Sequence, residues 1–275
     1  MIEASKQASS VWATADWLST HFWAKSANRV RQMGSLPIRS GDRVLDVGCG
    51  TGVYLSYIAD LVGPTGAAVG IDRLEDSVQR SRALVGQRGA AHATAIHTSL
   101  EDYLSHIGQY DVVVFMNSLS YSADYRGTIE RVGAALPTGG RIIVKDYDLE
   151  SVLVSPINRS NWVQLLEAAS RADQDANPLP FANFFGRHVP FLATAYSFRA
   201  SETIPWTNVM ARPFSTAQRA YVWGNIESLV QQAHDFGPES VLTYFREEFA
   251  ADGGCFFERD EALFVETEYV AVMTK

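Results

Sequence analysis

The run Arg43-Val44-Leu45-Asp46-Val47-Gly48-Cys49-Gly50-Thr51-Gly52 decides how the chain is read. An apolar, β-branched strand enters three glycines at alternate positions, and a helix-like stretch follows. Glycine opens backbone angles closed to other residues and lets a ligand come close to the main chain. The N–H groups free at the start of a helix then favour an electron-rich ligand group. Alone, such a turn is explained equally well as a plain connection between strand and helix. Two neighbours tilt the reading toward a ligand. Asp46 lies within the strand's end, where a carboxylate has no packing role and is seldom buried without a partner. Val69-Gly70-Ile71-Asp72 ends the next strand in a second acid, placed to accept hydrogen bonds from ribose hydroxyls. The turn lacks the G-x-G-x-x-G spacing that receives a pyrophosphate, so a nucleoside without phosphates fits better.

Outward from this turn the pattern is regular. Strand-like runs at 43–47, 67–71, 93–97, 111–116 and 141–145 alternate with helix-like stretches near 52–62, 74–88, 100–106 and 123–136. This alternation predicts right-handed βαβ crossovers and a parallel sheet, an α/β fold. Beyond Asp148 the rhythm changes. A helix is expected over 156–176, a break at Asn177-Pro178-Leu179-Pro180, and a short strand at 199–206. Helices near 215–235 and 238–250 and a final strand over 262–273 complete the chain. The expected organisation is an N-terminal helical lid (1–38), a core (39–148), a helical insertion (149–215) and C-terminal helices with the last strand (216–275), folding as one unit.

Composition narrows the class. Of 275 residues, 47% are hydrophobic and 20% charged, the balance of an ordinary globular protein. A net charge of −8 with scattered Lys and Arg argues against a nucleic-acid partner. No apolar run reaches the ~18–20 residues that span a bilayer, and no basic flank leads an apolar core at the N-terminus. With Cys49 and Cys255 as the two cysteines, the expectation is reduced thiols in the cytoplasm.

The stretch Val44–Gly52, with Asp72 behind it, resembles the first motif of the class I S-adenosylmethionine-dependent methyltransferases, and the resemblance extends over about 36–148. It implies a Rossmann-like, seven-stranded, mostly parallel sheet whose last strand is antiparallel, with S-adenosylmethionine as cofactor. It also implies that Gly48, Cys49 and Gly50 cradle the methionine moiety. Asp46 would lie beneath its amino group, Asp72 would hold the ribose hydroxyls, and Arg73 would lie beside the adenine. Ser99 stands where the family usually carries an acid for the adenine amine, and Leu100 would offer a backbone N–H; both also read as a helix cap followed by a core residue. Asn117, Ser118 and Tyr121, after the fourth strand, are placed at the chemistry.

Alignment and exclusion of water carry much of methyl transfer, so no catalytic residue is obligatory unless the acceptor must lose a proton. Asn117-Ser118-Leu119-Ser120-Tyr121 lacks the Asn/Asp-Pro-Pro-aromatic motif of enzymes that methylate nucleobase or glutamine amines. No convincing metal cluster is seen; Asp146 and Asp148 read as strand-end residues that cap the sheet and line the pocket. In the family the N-terminal helices and the insertion cover the strand ends. Here they carry Trp12, Trp17, Phe22, Trp23, Phe181, Phe184, Phe185, Phe191, Tyr196 and Trp206, which suits a hydrophobic small-molecule acceptor. Aromatics at helical spacing are also ordinary core. His21, His188 and His234 are conceivable bases, with His21 preferred and Tyr121 beside it as a candidate catalytic residue. The expected activity is methylation of O, C or N in specialised metabolism. The alternatives are non-methylating chemistry such as cyclisation, or a non-catalytic cofactor-binding protein. A homo-oligomer through exchanged N-terminal helices is compatible with the sequence.

Overall fold

The computed structural model describes residues 15–176, 182–250 and 254–275. They divide into two compact units, one built from Ala27–Val152, Leu179–Asn208 and Glu266–Lys275, the other from Met1–Ser26, Leu153–Pro178 and Val209–Val265. Helix α1 spans Ala15–Gly34.

In the first unit β1 (Arg43–Val47), α2 (Val53–Val62), β2 (Ala67–Asp72), α3 (Glu75–Gln87) and β3 (Ala93–His97) form one arm. The other comprises α4 (Leu100–Tyr103), β4 (Val112–Met116), α5 (Tyr125–Ala135) and β5 (Arg141–Tyr147). A short β6 (Leu153–Ser155), β7 (Ala200–Ala211) and the long β8 (Leu263–Thr274) complete the strands. The sheet order is β3-β2-β1-β4-β5-β8-β6, with β7 also pairing β8. The pairings from β3 to β5 are parallel, and β8 is antiparallel to β5 and β6. One strand, β6, exceeds the expected seven; three residues beside a Ser-Pro step are too short for a periodic signal.

β1 and β4 lie between parallel neighbours and are buried along nearly all their length, so they read as continuous apolar runs. Alternate residues feed two cores. Val44, Val112, Val114 and Ile143 meet Leu55, Ile58 and Val62 of α2 on one face. Leu45, Val113, Phe115 and Val144 meet Ile129 and Val132 of α5, with Phe185 and Leu192, on the other. Each fully buried aliphatic side chain contributes about 1.5–3 kcal/mol, which fixes the sheet against its helices. The segment Ala182–Ala195, expected as part of a helical insertion, is 3-10 turns with Pro190 inside. It is pinned to the end of β5 by Arg187, which donates two 2.7 Å bonds to Asp148.

Charge is also buried here. Glu268 of β8 accepts two hydrogen bonds from Arg29 of α1, at 2.7 and 3.0 Å, and one from Lys145 of β5 at 2.7 Å. All three are at most 1% exposed. Lys145 also donates to the Tyr54 hydroxyl at 3.1 Å, tying β5 to the start of α2. Burial, reinforced by nearby Arg29, holds the Lys145 ammonium below its ordinary range despite Glu268.

In the second unit α6 (Arg159–Ala176), α7 (Thr216–Gln232) and α8 (Glu239–Phe249) pack on one another. Ser215 starts α7 with a capping box closed by Gln218. Phe245, Phe249, Phe256 and Phe257 form the centre of this unit. No helix among the described residues is long and apolar enough to cross a membrane.

Removing one member of a buried charge network leaves the others unpaired, at a cost of about 3–5 kcal/mol. Glu268→Ala is therefore expected to lower the free energy of unfolding, measured by chemical denaturation, by that amount. A loss below about 1 kcal/mol would show that Arg29 and Lys145 find other partners.

Candidate active site

β1 carries Asp46 into the interior and leaves it there. The carboxylate is 1% exposed, and neither oxygen has a hydrogen-bond partner. Burial, and then the negative charge of Asp72, push it up to about 7. The adjacent loop does not relieve it. Gly48 and Cys49 both donate their N–H groups to the Ile71 carbonyl, at 2.8 and 3.0 Å. Gly50 donates to Asp72 Oδ2 at 2.9 Å, and Leu74 to Asp72 Oδ1 at the same distance. Asp72 thus aligns the glycine loop with the turn leading into α3. A carboxylate has about four acceptor positions, so two remain for other donors.

Gly48 (φ 72°), Gly50 (φ 53°) and Gly52 (φ 83°) are left-handed. A Cβ on Gly48 would lie 2.6 Å from the Ser118 Cβ, and one on Gly52 2.8 Å from the Ser81 Cα. The loop is therefore pressed between β4's end and α3, and only glycine fits. Cys49 is buried, and burial together with Asp46 and Asp72 drives its thiol upward.

At the end of β4, Asn117 adopts φ 59°, donates its N–H to the Lys145 carbonyl at 2.8 Å, and keeps Oδ1 buried without a partner. Ser118 donates its hydroxyl to the Val47 carbonyl at 2.5 Å, joining β4's end to the glycine loop. Tyr121 closes the following 3-10 turn, Leu119–Tyr121, and is partly exposed. Arg73 is exposed beside Asp72, and its carbonyl contacts His97 Nε2 at 3.0 Å. Ser99 is the N-cap of α4: it accepts the Asp102 N–H and donates to Asp102 Oδ2 at 2.7 Å. Asp102 thus stands beside Ser99 at the Ser-x-x-acid spacing of a cap. Leu100 packs on the core under α5.

Asp46, the glycine loop, Asp72, Arg73, Ser99, Leu100, Asn117, Ser118 and Tyr121 all fall in the first unit, on strand ends or the loops after them. His21 falls in the second. Its Nε2 is 2.8 Å from Lys25 Nζ, and its ring leans on Tyr221. An ammonium can only donate, so His21 Nε2 is the acceptor in this contact. Of the aromatics expected around an acceptor, Phe185 and Trp206 are core, while Trp23 and Phe191 are largely exposed. Trp12, Phe181 and the Trp17 side chain lie outside the described residues. The network of Lys145 and Glu268 was not foreseen; its signal was a lysine closing Ile142-Ile143-Val144.

A ligand that fits must bring a cationic or donor group to Asp46 and hydroxyls to Asp72. Residues 38–186 match the family described as a methyltransferase domain. The chain belongs to the methyltransferase domain family. The aklanonic acid methyltransferase DauC of Streptomyces sp. (strain C5) is 31% identical over 130 residues, 47% of this chain and 58% of that one. The nocamycin O-methyltransferase of Saccharothrix syringae is 35% identical over 104 residues, 38% of this chain and 37% of that one. The chain spans about half the length of the curated relatives it matches. Among solved structures, a cyclopropane-fatty-acyl-phospholipid synthase-like protein from Lactobacillus casei shares the fold with a TM-score of 0.60 and 16% identity, covering 95% of this chain and 94% of that one. In this methyltransferase-domain chain, Asp46 and Asp72 occupy the ends of adjacent strands, Asp46 beside Gly70 in register.

Because folding raises the Asp46 carboxyl from its ordinary 3.8 to about 7, its contribution is fully present below pH 4 and lost as pH rises through 7. Asp46→Asn is expected to raise the melting temperature of the ligand-free protein at pH 8 by several degrees, on the order of 3–4 kcal/mol. At pH 4 it should change little. Equal effects at both pH values would contradict a strained carboxylate.

Proposed function

We propose that this chain is a cytoplasmic S-adenosylmethionine-dependent methyltransferase acting on a small, hydrophobic acceptor in specialised metabolism. The observation that carries the reading is the Asp46 carboxylate, buried with no partner beside a glycine loop whose N–H groups are already used. Such a charge calls for a cationic ligand group, and the ammonium of the cofactor's methionine end supplies one. Asp72, fixed by Gly50 and Leu74, keeps acceptor positions for a ribose diol. Gly48, without a side chain, lets the main chain approach the ligand while Ser118 closes from the other side. Arg73 and Leu100 border the adenine in this reading, and Ser99 offers its hydroxyl with Asp102 behind it.

When bound, the cofactor supplies a methyl group activated by its sulfonium. The chain's share is to hold that group in line with the acceptor and keep water away. Asn117, in a strained left-handed conformation at the end of β4, orients the acceptor side, with Tyr121 on the turn behind it. His21, engaged by Lys25, serves in structure in this reading. The small-molecule acceptor is supported by relatives named for aklanonic acid and nocamycin.

Titration calorimetry with S-adenosylmethionine tests the reading directly. Micromolar binding is expected, weakened at least tenfold by Asp72→Ala and by Gly48→Ala. Below pH 7 affinity should fall as Asp46 takes up a proton. No heat of binding in the wild-type protein would end the assignment. Transfer of a radiolabelled methyl group to the small-molecule fraction of a cell extract then separates a methyltransferase from a binding protein.

A further inference from the structure

Asp146 ends the buried part of β5 on the sheet face opposite Lys145. It is 1% exposed, and its Oδ2 has no hydrogen-bond partner. Oδ1 accepts the Tyr147 N–H at 3.0 Å, and the Ser120 hydroxyl also bonds to the carboxylate. Across the β4–β5 pair lies Asn117, tied to Lys145 by its N–H and likewise keeping a buried oxygen unpartnered. Two neighbouring strand ends thus each present a buried oxygen without a partner. A buried acceptor without a donor costs about 1–3 kcal/mol, so its complement is a ligand that donates.

The strand order reverses between β1 and β4, which are parallel. Ligands of α/β sheets bind outside the strand ends at that point. Asp46 and Asp72 stand on the β1–β2 side of it, and Asn117 and Asp146 on the β4–β5 side. The face under Asp146 is apolar: Val144, Leu119 and Phe185 share one core, and Tyr125 meets Phe185 edge-on at 5.1 Å. An aromatic ring bearing a hydroxyl matches one apolar wall and two acceptors.

We infer that Asp146 and Asn117 form the recognition site for a hydroxyl group on an aromatic acceptor, with Asp146 receiving its proton; this rests on the methyl-transfer reading above. As the acceptor oxygen bonds to the methyl carbon, the proton passes to Asp146 Oδ2, and the electron pair of the broken carbon–sulfur bond stays with sulfur. Sulfonium, hydroxyl and carboxylate become thioether, methyl ether and carboxylic acid, and the net charge is unchanged. Burial raises the proton affinity of Asp146, and Lys145 opposes it less strongly. The other charged groups are Glu268 on β8 and, on the 182–195 segment packed against β5, Arg187 held by Asp148, and His188, whose proton affinity burial lowers.

The test uses the full chain loaded with S-adenosylhomocysteine, with phenol, anisole and toluene titrated by NMR chemical-shift changes. Phenol is expected to bind at least tenfold more tightly than the other two at pH 7. Asp146→Asn, which keeps Oδ1 for Tyr147 and Ser120, should reduce that preference below threefold while S-adenosylhomocysteine affinity stays within twofold. Should that variant not fold, Asp146→Glu and the wild-type comparison decide the matter. Equal binding of the three probes, binding of none, or a phenol preference that survives the substitution would overturn the inference. Failure to bind S-adenosylhomocysteine at all would overturn instead the reading on which it rests.

Discussion

A carboxylate taken out of water must find a donor, and the organisation of this molecule turns on one that does not. Asp46 sits on the strand with parallel neighbours on both sides, where neither face admits solvent. The nearest donors, the N–H groups of Gly48, Cys49 and Gly50, are committed to the Ile71 carbonyl and to Asp72. That commitment is a consequence of the left-handed glycines, which turn those N–H groups toward β2. The loop is rigid because its hydrogen bonds are made, and Asp46 is unsatisfied for the same reason. The two hydrophobic cores flanking the sheet offset the cost.

This arrangement was legible because each part leaves a local trace. An acid inside an apolar run, glycines at alternate positions, and an acid at the end of the next strand can all be seen in Val44–Gly52 and Val69–Asp72. The parallel strands were legible for a related reason: burial on both faces makes them unbroken apolar runs. What escaped depends on distant partners. Nothing local to Glu268 announces that Arg29, 239 positions away, will grip it. Ser99 looked like a substitute for an acid, yet the acid is one helical turn on, in Asp102. Nor does helical spacing alone announce that Lys25 will face His21, four residues back on the same helix. The aromatics divided because helical spacing cannot say which neighbour a face will meet, so Phe185 became core while Phe191 stayed largely exposed.

Strand alternation explains why buried charges fall into two kinds. Along β5, Lys145 points to the α2 face, where it donates to Glu268 and Tyr54. Asp146, one residue later, points to the α5 face, where Ser120 and a single backbone N–H leave one oxygen unused. Lys145, Arg29 and Glu268 form a buried set in which two cations share one carboxylate. Their role is to fix α1, α2 and β8 against one another. Asp46, Asn117 and Asp146 are open sets: each keeps at least one buried side-chain oxygen without a partner. Folding alone would favour replacing such groups with apolar residues, since a buried acceptor without a donor is a net cost. The three stand at the ends of adjacent, largely buried strands, β1, β4 and β5, where donors brought by a ligand would offset that cost.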